Sequence, residues 1–363
     1  MKKIDSYILK KYLTTFFFCL LLFTAVVVVV DISEKTDDFV RLKLSAWKVF
    51  TDYYLGFIPH IDAMLFPLFV FISVIFFTAK MADRSEVIAI LSSGVSYRRF
   101  LLPYWIGSIF LATILWFGYQ YTLPKANAIW GNFLAKNIDS NAHDPDHNSD
   151  KYNIYFRIDS NSYAAIKHYD TIARSGEYFA VQKFEHNKLV YDMNANYFSW
   201  DTTSKKWKLL IVKERYLTGD KERIVRSPQL LINYNFKPQE LRGDEYFKDR
   251  LTTAELNNYI AAEKMRGSEM INSLLVERYS RDAIPVSVII LTLIAAVLSS
   301  RKIRGGSGFY LGVGFIISVL YILCSRLSIV FAEKGNFTPI LAAWTPNIIF
   351  GLLAYYLYRK APK

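Results

Sequence analysis

Residues 13–30 read LTTFFFCLLLFTAVVVVV, a long run that contains no charged side chain. A helix of about 20 apolar residues crosses the ~30 Å hydrocarbon core of a bilayer. We therefore expect this run to form a membrane-spanning helix. Its apolar region is too long for a cleaved signal peptide, and the VVVVVDISEK that ends it offers no small-x-small cleavage site. It is expected to remain as a signal anchor.

Five further runs have similar length and apolar character. The chain has 363 residues, of which 52% are hydrophobic, and the apolar residues are concentrated in these runs. They comprise residues 61–79, 100–123, 283–300, 309–332 and 340–358. The sequence thus predicts six spans, three on each side of a polar block at about 125–282.

Lysine and arginine are concentrated in alternate segments between the spans. Short cytoplasmic segments carry an excess of these residues. With the N-terminus inside, the inner segments hold Lys2, Lys3, Lys10, Lys11, Lys80, Arg84, Arg98, Arg99, Arg301, Lys302, Arg304, Arg359, Lys360 and Lys363. The outer short loops hold Lys35, Arg41, Lys43, Lys48 and Lys334. This bias predicts cytoplasmic termini and an external middle block.

The polar block contains six short segments in which apolar and polar residues alternate. Tyr152, Ile154, Phe156 and Ile158 fall on one face of the first segment. Period-two alternation rich in aromatic and β-branched residues predicts antiparallel strands, and six such segments predict a sandwich or jelly roll. The predicted fold is therefore an α+β integral membrane protein, with 3+3 transmembrane helices flanking a periplasmic β-jelly-roll-like domain.

These patterns predict four regions. They are residues 1–124 with the first three helices, 125–250 with the β domain, 251–282 with a helical return segment, and 283–363 with the last three helices. Thr252 and Glu255 have the spacing of a capping box at the start of a helix in the return segment, and Gly267 separates that helix from the next.

Several function classes find no support in the sequence. The net charge of +12 would suit a nucleic-acid-binding protein, but cytoplasmic loops facing anionic lipid account for much of it, and no nucleic-acid motif is present. The chain lacks GxxxxGK[ST], HExxH and CxxC patterns, so we expect no nucleotide site, metal or cofactor. His143 and His147 flank Pro145, which disfavours the helical spacing that would bring them together, and a solvated loop is expected there.

A few polar and aromatic residues lie near the predicted outer membrane surface. Trp47, Tyr53 and Tyr54 predict an interfacial helix between the first two spans. Asp62 is expected at the outer interface. Arg326, within the fifth span, either snorkels to that interface or faces an anionic head group.

The segment AKMADRSEVIAILSSGVSYRRFLLP, residues 79–103, joins the second and third spans on the predicted inner side. Residues at about 83–93 are expected to form a short helix. Val87, Ile90 and Leu91 make an i, i+3, i+4 apolar stripe on it, and Gly94 can end it.

Several segments resemble the permeases of the lipopolysaccharide export transporter, the LptF/LptG family. They include YILKKYLTTFFF, FFTAKMADRSEVIAILSSGVSYRRFLLPY, TLPKAN, ANYFSWDTTSKKWKL, ERYSRDAIPVSVII, RGGSGFYLGVGF and LAAWTPNIIFGLLAYYLYR. They follow one another in order over nearly the whole chain. The resemblance implies a permease, itself not an enzyme, that pairs with a paralogous permease and a cytoplasmic ABC ATPase dimer. Together these subunits would take lipopolysaccharide from the inner membrane and pass it to a periplasmic bridge protein.

The resemblance also suggests three groups of site residues. ATPase coupling would use Arg84, Glu86, Val87, Ile90 and Leu91, with Glu86 facing a basic group of the partner. Lipopolysaccharide phosphates would meet Lys35, Arg41, Lys125, Lys136 and Arg326, since the family's lateral opening lies between the first and fifth helices. Acyl chains are expected inside the β domain near Phe156 and Ile232, because the alternating aromatic and aliphatic face of its sheet has no core helix to cover it.

Two other classes of function stay open from the sequence. One is an ion-coupled secondary transporter that uses His60, Asp62 and Arg326, although the two halves show no self-similarity of the kind such transporters usually have. The other is a membrane-anchored envelope assembly factor with a lipid-binding β domain.

Overall fold

The computed structural model describes residues 3–134, 150–171, 173–186, 188–219, 221–234, 236–241, 247–266, 268, 270–301 and 306–361. The chain divides into two compact units. The helical unit comprises Met1–Phe133, Asp249–Thr253 and Asn272–Lys363, and the strand unit comprises Leu134–Lys248 and Ala254–Ile271.

Helices form the first and last thirds of the chain. The first group is α1 Lys3–Arg41, α2 Ala46–Val49, a π-helical segment Phe50–Tyr54, α3 Leu55–Asp83, α4 Glu86–Ser92, α5 Tyr97–Phe117, a second π-helical segment Gly118–Thr122 and α6 Leu123–Phe133. The later group is α7 Pro238–Leu241, α8 Phe247–Arg250, α9 Thr253–Arg266, α10 Ile271–Ser299, α11 Gly306–Lys334 and α12 Pro339–Lys360.

Within the described residues, six helical segments are long and apolar enough to cross a membrane. They are Lys3–Arg41, Ala46–Asp83, Tyr97–Phe133, Ile271–Ser299, Gly308–Lys334 and Pro339–Lys360. Each of the six predicted spans therefore corresponds to a helix whose length and composition suit a membrane span. At 1.5 Å per residue, α1 is about 58 Å long, which exceeds the ~30 Å hydrocarbon core. Its ends therefore extend beyond the apolar run at residues 13–30.

The prediction of a separate interfacial helix between the first two spans is wrong. Residues Ala46–Asp83 form one continuous helical segment through the π-helical turn. Trp47 is exposed, but Tyr53 and Tyr54 are buried inside the helical unit. Aromatic residues suit both an interface and a buried contact between helices, so composition alone misplaced these two tyrosines.

Stacked aromatic rings form the centre of the helical unit. Tyr12 of α1 hydrogen-bonds through its hydroxyl to Thr292 Oγ1 of α10 at 3.0 Å. The ring of Phe77 lies 5.9 Å from that of Tyr12. A Cβ at Gly107 of α5 would lie 2.5 Å from the Tyr12 ring, so only glycine permits this close approach of α1 and α5.

Arg281 is a buried charge at the beginning of the fourth span, with 1% of its surface exposed. Its Nε donates to Glu277 Oε1 at 2.8 Å and its Nη1 to the Leu251 carbonyl at 2.9 Å. These bonds satisfy the guanidinium, as a buried charge requires, and tie the chain at Leu251 to α10. This role of Arg281 was not predicted from the sequence.

The strand unit contains one antiparallel sheet of six described strands. They are β1 Asp150–Arg157, β2 Ser162–Asp170, β3 Ser175–Glu185, β4 Lys188–Asp201, β5 Lys206–Thr218 and β6 Lys221–Ile232. Their order in the sheet follows the chain, from β1 to β6. The α+β class, with a β domain between two sets of three helices, is confirmed. Within the described residues the strands make a meander without crossovers, because connections this short can only form hairpins.

The last of the six alternating segments in the sequence, residues 229–236, overlaps only the end of strand β6. The strand begins at Lys221 and contains Pro228, which cannot donate to a neighbouring strand. The position is tolerated because β6 is the last strand in the order and pairs on one side with β5. Charged residues such as Arg223 and Arg226 interrupt the apolar alternation in the first half of β6, so the sequence pattern did not predict that half as a strand.

One face of the sheet forms an aromatic core that the following chain segment closes. Phe179, Phe198 and Trp207 are buried there, together with Phe236 and Leu241 from the segment after β6. Trp207 Nε1 donates to the Phe236 carbonyl at 3.0 Å. This bond holds residues 236–241 against the sheet.

Trp207→Ala is expected to destabilise the strand unit by about 3–5 kcal/mol, because it removes a fully buried ring and leaves the Phe236 carbonyl without its donor. Hydrogen exchange of the sheet amides in the full-length protein would measure the loss. Trp200, whose ring lies 5.1 Å from Trp207 but is only half buried, is the matched control. Equal exchange in wild type and Trp207→Ala would contradict this account.

Candidate functional site

Helix α4 sits between two sharp turns of the chain. Ser85 adopts a left-handed backbone with φ of 61° and turns the chain from α3 into α4. After the helix, Gly94 has φ of 86° and its amide donates to the Leu91 carbonyl at 3.1 Å. A left-handed glycine just past the last turn is a common helix terminator. The prediction that Gly94 ends this helix is confirmed.

The apolar stripe of α4 faces its own helical unit. Val87 is 1% exposed, and Ile90 and Leu91 pack partly buried against the helical core. Ile88 is 52% exposed, and Ala89 and Arg84 are also exposed. The periodicity identified the helix correctly, but the surface free to meet another protein is the one that bears Ile88 and Ala89.

Glu86 binds the first helix of the same chain. Its Oε2 accepts a hydrogen bond from the Tyr7 hydroxyl at 2.9 Å and lies 3.6 Å from Lys11 Nζ. Lys11 also donates to the Tyr7 hydroxyl. The Glu86 side chain is 27% exposed, so another group can still approach it. Tyr7 and Lys11 thus link α1 to α4.

A second ionic contact fixes the start of α1. Arg99, in the first turn of α5, donates to the buried carboxylate of Asp5. Together with the Tyr7–Glu86 bond, it joins the beginning of α1 to both α4 and α5. A displacement of α4 would therefore reach α1 through hydrogen-bonded side chains.

Lys35 belongs to a hydrogen-bonded network near the other end of α1. Its Nζ donates to the Tyr53 hydroxyl at 2.7 Å and lies 3.9 Å from Asp31. The Asp31 carboxylate is buried and accepts bonds from the hydroxyls of Tyr53 and Tyr54, each at 3.0 Å. Lys35 is one quarter exposed, so it is oriented by this network while remaining partly accessible.

The other described cations proposed for phosphate binding lie on three different helices. Arg41 ends α1 and is exposed, as is Lys125 on α6. Arg326 on α11 is exposed, and its Nη2 lies 3.5 Å from Met64 Sδ on α3. Lys136 lies outside the described residues, as do His143 and His147. Both α1 and α11 pack on α3, so α3 connects the helices that carry Lys35 and Arg326.

The three residues considered for ion coupling each have a neutral partner. His60 Nδ1 pairs with Asn127 Oδ1 at 2.9 Å, and Asp62 accepts from the Thr24 hydroxyl at 2.7 Å. Arg326 contacts the Met64 thioether. No hydrogen bond or ion pair among the described residues joins the three to one another.

In the strand unit, Phe156 and Ile232 point toward the aromatic core and are half buried. Asn153 and Asn233 are exposed. The Phe156 ring packs edge-on against Phe236 at 4.8 Å between centroids. Segment 236–241 therefore covers a face that the sequence predicted to lack a cover.

Strands β5 and β6 are also joined by charge. Arg215 Nε donates to Glu222 Oε1 at 2.8 Å, and the same guanidinium lies 3.7 Å from Asp192. The hydrogen bond from Arg215 lowers the pKa of the Glu222 carboxyl. The pair is exposed, so it fixes the pairing of the hairpin more than it adds stability.

The chain matches a known protein family over nearly its whole length. A family model described as "Lipopolysaccharide export system permease LptF/LptG" matches residues 6–360. No match was found among curated proteins. The matched range includes the whole sheet and all six candidate spans, except residues 3–5 at the start of the first span.

Proposed function

Because the chain belongs to the LptF/LptG family of lipopolysaccharide export system permeases, we propose that it is the permease subunit of an ABC transporter that extracts lipopolysaccharide from the inner membrane and passes it to a periplasmic bridge. The observation that carries the proposal is the family match over residues 6–360, together with six candidate spans that flank a β domain. The chain is a multi-pass protein of the inner membrane and is not itself an enzyme.

Three protein partners follow from this proposal. The sequence has no phosphate-binding loop, so a cytoplasmic ABC ATPase dimer would hydrolyse ATP. A paralogous permease would complete the membrane part, and a periplasmic bridge would receive the lipid. The bias of lysine and arginine supports cytoplasmic termini and a periplasmic β domain.

Helix α4 is proposed to couple the ATPase to the membrane helices. Its exposed face, with Ile88, Ala89 and the adjacent Arg84, would contact the ATPase. Val87, Ile90 and Leu91 would transmit its movement inward, because they pack into the helical core. Glu86 would act at the junction, since it binds Tyr7 and Lys11 on one side and is still accessible on the other.

Purification with the ATPase and reconstitution into proteoliposomes test the proposal directly. The complex should release lipopolysaccharide to an added bridge protein only when ATP is supplied. Release driven by a proton gradient without ATP would instead support a secondary transporter. A complex that retains lipopolysaccharide under both conditions would contradict the transport function.

The β domain is proposed to hold acyl chains against its inner face. A photo-crosslinking residue at Phe156 or Ile232 should capture lipopolysaccharide during ATP-driven transport, and the same residue at Asn153 or Asn233 should not. The reason is that the first two positions face the aromatic core and the last two face solvent. Entry of a chain would require segment 236–241 to move. Equal capture from both faces would contradict this placement.

A further inference from the structure

A groove between α5, α10 and α12 has no role in the function proposed above. Its volume is about 520 Å³, within the range of small-molecule and lipid sites. Leu101, Leu102 and Trp105 line it from α5, and Ile290 and Leu293 line it from α10. The groove extends from Arg98 to Trp105, about 10 Å along the axis of α5.

One end of the groove is polar and positively charged. Arg98 Nε donates to the Tyr358 hydroxyl at 3.1 Å. No carboxylate in the described residues forms an ion pair with Arg98, whose neighbour Arg99 is paired with Asp5. Arg359 lies 6.0 Å from the Tyr355 ring at the same end of α12. A guanidinium beside apolar side chains, with no carboxylate partner in the described part of the chain, favours an anionic ligand.

The other end of the groove is apolar and has free space. Gly351 of α12 lines it, and a Cβ built there would meet only Ile290 Cδ1, at 3.9 Å. Trp105 is 42% exposed at this end. A cationic end and an apolar wall along membrane helices match the two parts of a lipid molecule.

The position of Arg98 distinguishes the groove from the cation sites proposed for lipopolysaccharide. Arg98 lies beside Arg99, which binds Asp5 at the beginning of α1. Lys35 and Arg41 lie near the other end of that helix, whose length is about 58 Å. The cationic end of the groove is therefore on the opposite membrane face, the cytoplasmic one in the proposed orientation.

We infer that this groove binds an anionic phospholipid of the cytoplasmic leaflet. Its phosphate pairs with Arg98 and accepts from the Tyr358 hydroxyl, and one acyl chain lies along Leu102, Trp105 and Gly351. The assignment to the cytoplasmic leaflet rests on the proposed orientation. Binding itself does not require that the protein transport lipopolysaccharide, so the two can fail separately.

Native mass spectrometry of the full-length protein, with any subunits that co-purify in mild detergent, tests the inference. The sample is offered phosphatidylglycerol and phosphatidylethanolamine with matched acyl chains. In two further arms, purified lipopolysaccharide or inorganic phosphate is added as a competitor. The wild type should retain phosphatidylglycerol in preference. Arg98→Gln should reduce that retention about fivefold, the effect of about one interfacial cation.

Gly351→Leu provides a second variant, which fills the groove without removing charge. Leucine favours a helix more than glycine does, so this variant should fold and yet lose the lipid. Lys10→Gln, a charge loss on the same membrane face, and Gly312→Leu, on an exposed face of α11 with no neighbour within 4 Å, should bind as the wild type does. Equal retention of the two phospholipids, or unchanged binding in both groove variants, would overturn the inference. Displacement of phosphatidylglycerol by lipopolysaccharide or by inorganic phosphate would do so too.

Discussion

Glu86→Lys is expected to slow ATP-driven lipopolysaccharide release severalfold or more while leaving the chain inserted in the membrane. In the native chain, Glu86 Oε2 accepts from the Tyr7 hydroxyl at 2.9 Å and lies 3.6 Å from Lys11 Nζ. A lysine at position 86 would bring two ammonium groups together and would repel a basic group of the ATPase. Hydrogen bonds to charged groups contribute about 1.5–3 kcal/mol, so release should slow by at least roughly tenfold.

Three measurements check this result: release from proteoliposomes, ATPase activity, and co-purification of the ATPase. Normal values for all three would show that Glu86 has no part in coupling. Loss of ATPase binding would point to a contact between Glu86 and the partner. Normal ATPase binding and hydrolysis with lost release would point to the contact with α1.

Tyr7→Phe separates these two roles further. It removes only the hydroxyl that binds Glu86 and leaves the Glu86 charge available to the partner. Combined with Glu86→Gln it completes a double-mutant cycle, in which a coupling energy above about 0.5 kcal/mol in the release rate would indicate a direct functional link. Lys11→Gln should act in the same direction, and Lys10→Gln is its control, because Lys10 is exposed. A cycle with no coupling would mean that the bond between α1 and α4 is only structural.

The general architecture could be predicted because each part depends on local patterns. Residues 13–30 can form only a span or a deeply buried helix, and the length of the run favours a span. Apolar and polar residues alternate regularly enough along strands β2 to β5 for each strand to be predicted individually. Gly94 ends α4 because a left-handed backbone is needed there. A single glycine after a short apolar stripe was enough to predict this helix end.

The contacts at the candidate sites could not be predicted in the same way. An i, i+3, i+4 stripe shows that Val87, Ile90 and Leu91 share a face, but not whether that face meets the chain's own helices or a partner. The spacing of Asp31 and Lys35 allowed an ion pair one helical turn apart. It did not reveal that Tyr53, far along the chain, would bind both. The pairing of Tyr7 with Glu86 is equally remote, since 79 residues separate them.

Neutralising Lys35 and Arg326 together is expected to slow lipopolysaccharide release about thirtyfold. The phosphates of the lipid would gain about 1 kcal/mol from each interfacial cation, and two such losses multiply. Reversing both charges to glutamate should abolish release. However, Lys35→Glu would place a carboxylate beside the buried Asp31, so it would disturb the α1–Tyr53 contact as well. Glutamine at both positions avoids that repulsion.

The structure gives a reason to expect that the glutamine variant folds. Asp31 keeps both tyrosine hydroxyls as donors when Lys35 is replaced, at 3.0 Å each. Among the described residues, the Met64 thioether is the hydrogen-bond partner of Arg326 and no carboxylate forms an ion pair with it, so its loss leaves no buried carboxylate unpaired. Lys48→Gln, an exposed position in the same outer segment as Tyr53, is the matched control and should transport at the normal rate. Release, ATPase assembly and lipid crosslinking would be measured for each variant. A double variant that assembles with the ATPase and releases lipid at the wild-type rate would show that these cations set the topology of the chain and do not bind its substrate.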